Sequence, residues 1–213
     1  MEPYRIIVRG GTGEIVEKKS RFIANIIPAA SEEEAVNFIE ETKKKYWDAR
    51  HNCTAMIIGE NSQITRCSDD GEPSQTAGRP MLEVLINEGI KNVCVVVTRY
   101  FGGTLLGTGG LVRAYQAAVK EGLKNCEIGV VKSGINFNIE TDYNGIGKIQ
   151  YILAGKNIPI INSQYTDTVT LEVTVEDGVF EGLVKEITDA TSGKAVVREQ
   201  KEVSFIDKDF TQS

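Results

Sequence analysis

Residues 99–113 read Arg-Tyr-Phe-Gly-Gly-Thr-Leu-Leu-Gly-Thr-Gly-Gly-Leu-Val-Arg, and five of the nine positions from 102 to 110 are glycine. Gly102, Gly103, Gly107, Gly109 and Gly110 permit positive φ and let a ligand approach bare backbone. The segment lies between an apolar strand pattern and a helical one. The first N–H groups of that helix have no internal acceptor, so an anion is a natural partner for them. Thr104 and Thr108 add hydroxyl donors. Neither standard phosphate signature is met: Gly-Lys-Ser/Thr is absent and the spacing is not G-x-G-x-x-G. Charge points the same way. From Gly89 to Lys120 there is no Asp or Glu, while Lys91, Arg99, Arg113 and Lys120 are present. A cation early in a helix, where Arg113 falls, is unfavourable unless an anion is near. These residues form a candidate anion or RNA site; equally, the glycines could serve only a tight turn and close helix–strand packing.

Other residues could do chemistry too. Asp69, Asp70 and Glu72 around Gly71 could hold a divalent ion or act as general acid and base, though without calcium-loop spacing. They could as well form a solvated turn that caps the next segment. Ser74, Thr76 and Arg79, just beyond, could contact a ligand. His51, the one histidine, could be a general base, but no nucleophile partner is recognisable. His51, Asp70 and Glu72 are thus weak catalytic candidates. Lys18, Lys19 and Arg21 would enlarge an electropositive face if they project beside Arg99 and Arg113. No metal centre and no cofactor are implied, since one histidine and cysteines without a C-x-x-C pair make a poor zinc set.

The positioning elements are read from apolar period and end signals. Strands are expected at 4–8, 22–27, 52–58 and 63–67. Ser31 should cap a helix to Tyr46, with Glu34 completing a capping box. A second helix should open with Pro80 at its first position and end before Gly89, burying Leu82, Leu85 and Ile86. The β-branched run 92–100 reads as a strand buried on both faces, followed by a helix from Leu111 to Leu123. The remainder orders as strand 134–140, helix 142–154, strands 158–165 and 169–175, helix 179–191 and strand 195–203, a ferredoxin-like βαββαβ. The boundary is expected at 132–134, giving domains 1–132 and 133–213.

Composition agrees with a folded α+β chain: 213 residues, 41% hydrophobic and 25% charged. No apolar run reaches the roughly 20 residues of a membrane span, and the start, Met-Glu-Pro-Tyr-Arg, shows no secretory signal. A reduced cytoplasmic protein with cysteines used as small apolar residues is expected. The net charge of −6 argues against a generally basic nucleic-acid binder. Residues 1–132 carry 17 basic and 17 acidic side chains, whereas 133–213 carry 7 and 13. The whole excess therefore belongs to the second half.

Three segments taken together, Arg50-His51-Asn52-Cys53, Asp69 to Gly78, and Arg99-Tyr100-Phe101-Gly102-Gly103 with Leu106 to Leu111, resemble the IMPACT family. That family includes bacterial proteins and a eukaryotic translational regulator. The second half is similar to the small C-terminal domain of bacterial members and to a ferredoxin-like domain of elongation factor G. The resemblance implies an N-terminal α/β sandwich with a left-handed β-α-β crossover, like a ribosomal-protein domain. Eukaryotic members bind a large ribosome-associated activator, which restrains the kinase that phosphorylates an initiation factor. Bacteria lack that pathway, so the role implied here is only translation- or stress-related. No catalytic residues carry over.

Two functions are expected from these readings. One is a non-enzymatic regulator binding RNA or a ribosome-associated partner through the glycine-rich turn. The other is an enzyme acting on a phosphorylated small molecule or nucleotide, with its phosphate held by the same turn.

Overall fold

A computed structural model describes residues 2–207, which divide into two compact units, Tyr4–Val130 and Val131–Asp207, the latter with residues 2–3. The first contains β1 (Tyr4–Arg9), β2 (Gly11–Glu17), β3 (Ser20–Pro28), α1 (Glu32–Lys45), β4 (His51–Ile58), β5 (Ile64–Ser68), α2 (Gly78–Asn87), β6 (Ile90–Lys91), β7 (Val93–Tyr100) and α3 (Thr108–Lys124). Its main sheet has the order β2-β3-β7-β4-β5, with every neighbouring pair antiparallel. Because β3 and β4 both oppose the central β7, they run parallel to each other, and α1 makes the crossover between them.

The valine run of β7 is central because it is apolar on both faces. Val93, Val95 and Val97 pack with Phe22, Ala24 and Cys53 beneath α2 and α3, while Cys94 packs with Met56, Ile58 and Ala35 of α1 on the other side. Each fully buried valine is worth about 1.5–3 kcal/mol relative to exposure, so this strand anchors the unit. α1 is capped by Ser31, whose Oγ accepts from Glu34 N–H at 3.2 Å. The Glu34 carboxylate reaches one residue beyond the expected box, to Ala30 N–H at 2.7 Å.

β8 (Glu127–Thr141) is one continuous strand, and the division between the units falls within it. Residues 132–134 therefore lie in a strand. Lys132 Nζ is bound by Glu176 at 2.5 Å and Asp207 at 2.8 Å, and Ser133 Oγ by Asp177 at 2.6 Å. The second unit continues with α4 (Ile146–Gly155), β9 (Ile160–Tyr165), β10 (Val169–Glu176), α5 (Asp177–Ala190) and β11 (Val196–Asp207). Its strand order is β9-β10-β8-β11, the ferredoxin-like βαββαβ. Val169, Leu171, Val173 and Val175 alternate inward against Ile149, Leu153, Leu183 and Ile187.

Several expectations are corrected. β2 has no apolar alternation beyond Ile15, because its glycines let α3 lie on it: a Cβ at Gly13 would meet Gly122 N at 2.4 Å. α2 begins at Gly78, so Pro80 is its third residue rather than its first. Ile86 is 51% exposed, and Met81 and Val84 are buried instead. α3 begins at Thr108, three residues earlier than expected. The helix expected from Asp142 begins at Ile146, since Asp142 closes a turn by accepting from Gly145 N–H at 2.7 Å. Among the described residues no helix is long and apolar enough to cross a membrane, and no cluster of three or more His, Cys, Asp or Glu could hold a metal ion.

Candidate functional site

Register places Phe22 of β3, Arg99 of β7 and His51 of β4 side by side at one end of the sheet. The loop after β5 folds over that end. Asp69 organises it: its carboxylate accepts from Gln75 N–H at 2.8 Å, Ala77 N–H at 3.0 Å and Gly78 N–H at 2.9 Å. It thus supplies the anion that the start of α2 favours. The Asp70 carboxylate accepts from Lys43 Nζ at 2.8 Å and Asn52 N–H at 2.7 Å. His51 Nδ1 lies 2.9 Å from the Asp70 carbonyl oxygen. A carbonyl can only accept, so Nδ1 carries the hydrogen in this bond.

Burial raises the Asp70 pKa, but the bonds from Lys43 and Asn52 outweigh it and hold the carboxyl below its ordinary 3.8. A lowered folded-state pKa stabilises the fold above the unfolded value and loses that contribution as pH falls through the folded one. Asp70→Asn is therefore expected to cost about 1 kcal/mol at pH 7 and progressively less as the pH falls below about 4. Urea midpoints measured across that range check it; a pH-independent deficit would contradict the assignment.

Glu72 is drawn inward. Its Oε1 accepts from Arg99 Nη1 at 2.7 Å and from Tyr115 Oη at 2.8 Å, with side chains only 8% (Arg99) and 3% (Glu72) exposed. The Arg99 guanidinium also lies 5.4 Å from the Phe22 ring centroid and 5.6 Å from that of Phe101. Cys53 Sγ donates to the Asp69 carbonyl at 3.0 Å and lies 3.3 Å from Tyr115 Oη. Burial pushes the Cys53 thiol up to about 12 and the Tyr115 hydroxyl far above its usual range, so both stay protonated. Cys94 is likewise pushed up to about 12 and Cys126 to about 11 by burial, leaving Cys67 as the exposed thiol. A cavity of about 280 Å³ opens beside this network, lined by Arg50, His51, Arg99, Tyr100, Phe101 and Leu105.

The glycine turn lies at the same end. Gly102 N–H donates to Ser20 Oγ at 3.1 Å, and its Cα sits directly on the β2–β3 hairpin tip. In that tip Lys18 and Lys19 take φ of 46° and 65°. Gly107, φ 74°, precedes α3 without a side-chain cap. The amides of Thr108, Gly109 and Gly110 precede the bond from Leu111 N–H to Gly107 O. Arg113 folds back over this turn, its Nη1 3.7 Å from where a Gly109 Cβ would be. Lys18, Gly110 and Arg113 share a second cavity of about 260 Å³ with Glu17 and Leu106.

The expected site residues therefore separate. Gly103, Thr104, Gly107, Thr108, Gly109, Gly110 and Arg113 stay at the turn, and Lys18 and Lys19 are brought beside it. Arg99 is not free to serve the turn as expected, because it is buried on Glu72. The amide of Gly102 is taken by Ser20. Lys91 lies in β6, before the opposite end of β7 from Arg99, and its Nζ binds the Glu60 carbonyl oxygen. Arg21 is held by Glu14 at 2.8 and 3.0 Å. Thr76 is buried with its hydroxyl on the Pro73 carbonyl oxygen, and Arg79 pairs with Glu83; only Ser74 of that trio remains exposed and unbonded among the described residues. Asp70 and Glu72 each accept an ion-pair hydrogen bond, from Lys43 and from Arg99. Tyr115 and Phe22 escape a reading of the sequence because among apolar neighbours they look like ordinary core residues.

The Impact N-terminal domain matches residues 18–123, and a domain of unknown function, DUF1949, matches 139–194. The chain is 42% identical over 210 residues to the IMPACT family member YvyE of Bacillus subtilis, covering 98% of this chain and 95% of that one. It is 36% identical over 98 residues to mouse Protein IMPACT, covering 44% of this chain and 30% of that one. A crystal structure of a hypothetical protein superposes with a TM-score of 0.59 at 34% identity, covering 92% of this chain and 97% of that one.

Proposed function

Because the chain belongs to the IMPACT family, we propose that it regulates translation, without catalysis, by holding RNA against the hairpin tip and glycine turn of its first unit. The family's eukaryotic translational regulator sets the direction of this reading. The observation that supports it most is Arg113. Its guanidinium lies over the uncapped start of α3, shares a cavity with Lys18, and has no carboxylate partner among the described residues. A cation at a positive helix end is unfavourable by about 0.3–1 kcal/mol unless an anion is present. Backbone phosphates would supply one, with the glycine amides as further donors. The acidic excess of residues 133–213 confines the contact to the first unit.

Fluorescence polarisation with single-stranded RNA over a range of salt tests this. Binding should weaken steeply as salt rises, and Lys18→Ala/Arg113→Ala should lower the slope of log K against log salt by between one and two. No binding at low salt, or a slope unchanged by the double substitution, overturns it. Capture of a protein that survives nuclease treatment would replace RNA with an acidic protein partner.

A further inference from the structure

We propose that the cavity beside Phe101 is a nucleobase pocket, which takes one unpaired base of the RNA and so selects single strands. The inference rests on the RNA reading and adds to it a contact that involves no phosphate. Leu105 and Leu106 are consecutive, yet Leu105 lines the cavity with Phe101 and Leu106 lines the one with Lys18 and Arg113. One loop therefore forms a wall of both cavities. A strand whose phosphates lie on Lys18 and Arg113 has the base pocket across that wall.

The lining matches a base rather than a phosphate. Glu72 balances Arg99 at 2.7 Å, and the exposed Asp48 offsets the exposed Arg50, so no net charge selects an anion. A fitting ligand is neutral, with an apolar face and an edge that both donates and accepts hydrogen bonds. For the edge, Asp48 accepts from Tyr100 Oη at 2.7 Å through one carboxylate oxygen, and its other oxygen has no donor among the described residues. Arg50 has no carboxylate or carbonyl partner among them either, so its N–H groups can meet a ring nitrogen or carbonyl oxygen. For the face, Phe101 is 52% exposed and Leu105 83% exposed. Large apolar side chains scattered singly need no explanation, but two that line one concavity mark a binding surface. Phe101 is also preorganised: the Arg99 guanidinium, pinned by Glu72, lies 5.6 Å from its ring centroid. A ring already held in place loses little freedom when a base stacks on it. At about 280 Å³ the space sits near the small end of ligand sites, roughly 300–1,000 Å³, which suits a single base. A base inside a duplex offers neither its face nor its pairing edge, so pairing excludes it.

Fluorescence polarisation of the whole chain with a short single-stranded RNA, its duplex and an abasic strand of equal length separates the two contacts. Phe101→Ala should weaken the single strand about tenfold, the loss of one stacked base. It should leave the slope of log K against log salt unchanged, because no phosphate contact is lost; the Lys18→Ala/Arg113→Ala pair instead lowers that slope. Affinity for the duplex and for the abasic strand should be the same in the parent and in Phe101→Ala. Phe101→Tyr, which keeps a ring, should retain the parent's affinity. Leu105→Ala, at a largely exposed position, should weaken the single strand several-fold and serves if Phe101→Ala does not fold. A second arm needs no RNA. Adenosine and cytidine, nucleosides without phosphate, should shift the ¹H–¹⁵N signals of the His51 ring and of the Gly102 and Gly103 amides at about 10 mM, where a millimolar site is largely filled. Absence of those shifts overturns the pocket whether or not RNA binds. A single strand bound equally by the parent, Phe101→Ala and Leu105→Ala overturns the pocket and leaves the RNA reading standing. A duplex bound as tightly as the single strand overturns the selection of unpaired bases. Nucleoside shifts without RNA binding support the pocket and overturn the RNA reading.

Discussion

Glu72→Ala is expected to lower the stability of the first unit by about 3–5 kcal/mol, the cost of leaving a buried charge without its partner. Two donors lose their acceptor at once, Arg99 Nη1 and Tyr115 Oη. Neither can turn to water, because both side chains are enclosed. Against a total of about 5–15 kcal/mol for a folded domain, that loss is a large fraction. Urea denaturation followed by circular dichroism should show a much lower midpoint. The double variant Glu72→Leu/Arg99→Met should recover most of the loss, since an apolar pair of similar volume is often neutral in place of a buried ion pair. A deficit below about 1 kcal/mol would place this pair among the surface bridges that contribute little. Full loss in the double variant would mean that shape rather than charge holds the site.

Gly102→Ala is expected to be nearly as damaging, for a different reason. A methyl there would sit 2.0 Å from Lys19 C, 2.2 Å from Lys19 O and 2.3 Å from Ser20 N, all backbone atoms of the hairpin tip. Backbone cannot rotate away, so the loop must lift off the hairpin and break the bond from Gly102 N–H to Ser20 Oγ. Overpacking of this kind costs about 1–3 kcal/mol or more. It should also separate Lys18 from Arg113 and so weaken RNA binding at every salt concentration. Gly109→Ala is the contrast. Its added carbon meets only Arg113 Nη1 at 3.7 Å, and alanine is favoured over glycine within a helix by about 0.5–1 kcal/mol. It should therefore raise thermal stability, and any loss of RNA affinity there reports crowding of the exposed amides. A Gly102→Ala protein as stable as the parent would mean that the turn does not rest on the hairpin.

Much of this architecture is legible directly in residue pattern. The valine run of β7, the Ser31 cap of α1 and the βαββαβ order of the second unit all arise from local signals: β-branching, capping chemistry and alternation. β2 is illegible because its apolar content is negligible; it exists through pairing with β3 and through glycines that admit α3, both long-range causes. Ile86 reads as core because helical spacing defines a stripe about 100° wide without saying which edge of it the neighbouring sheet covers. The acid-free stretch from Gly89 to Lys120 is plain in the sequence, but proximity along the chain makes it look like one patch. Strand β7 separates Lys91, in β6 just before it, from Arg99 near its far end, and Glu72, seventeen residues before the stretch, returns to neutralise Arg99. Composition counted along the chain cannot see a carboxylate that arrives from another loop. Conversely, Lys18 and Arg113 lie 95 residues apart, and only the hairpin packing on the glycine turn makes them neighbours.

The cysteines have a practical consequence. Two are sealed in the core and a third is half-covered, with their thiols pushed up to about 12, 12 and 11, while Cys67 stands on the outer strand β5. At neutral pH a maleimide dye should couple to Cys67 alone in the native protein, giving a fluorescent reporter just before the loop that carries Asp69, Asp70 and Glu72, with no engineering. The remaining thiols would become alkylatable only as the fold opens, so counting adducts over time by mass spectrometry would clock that opening under native conditions.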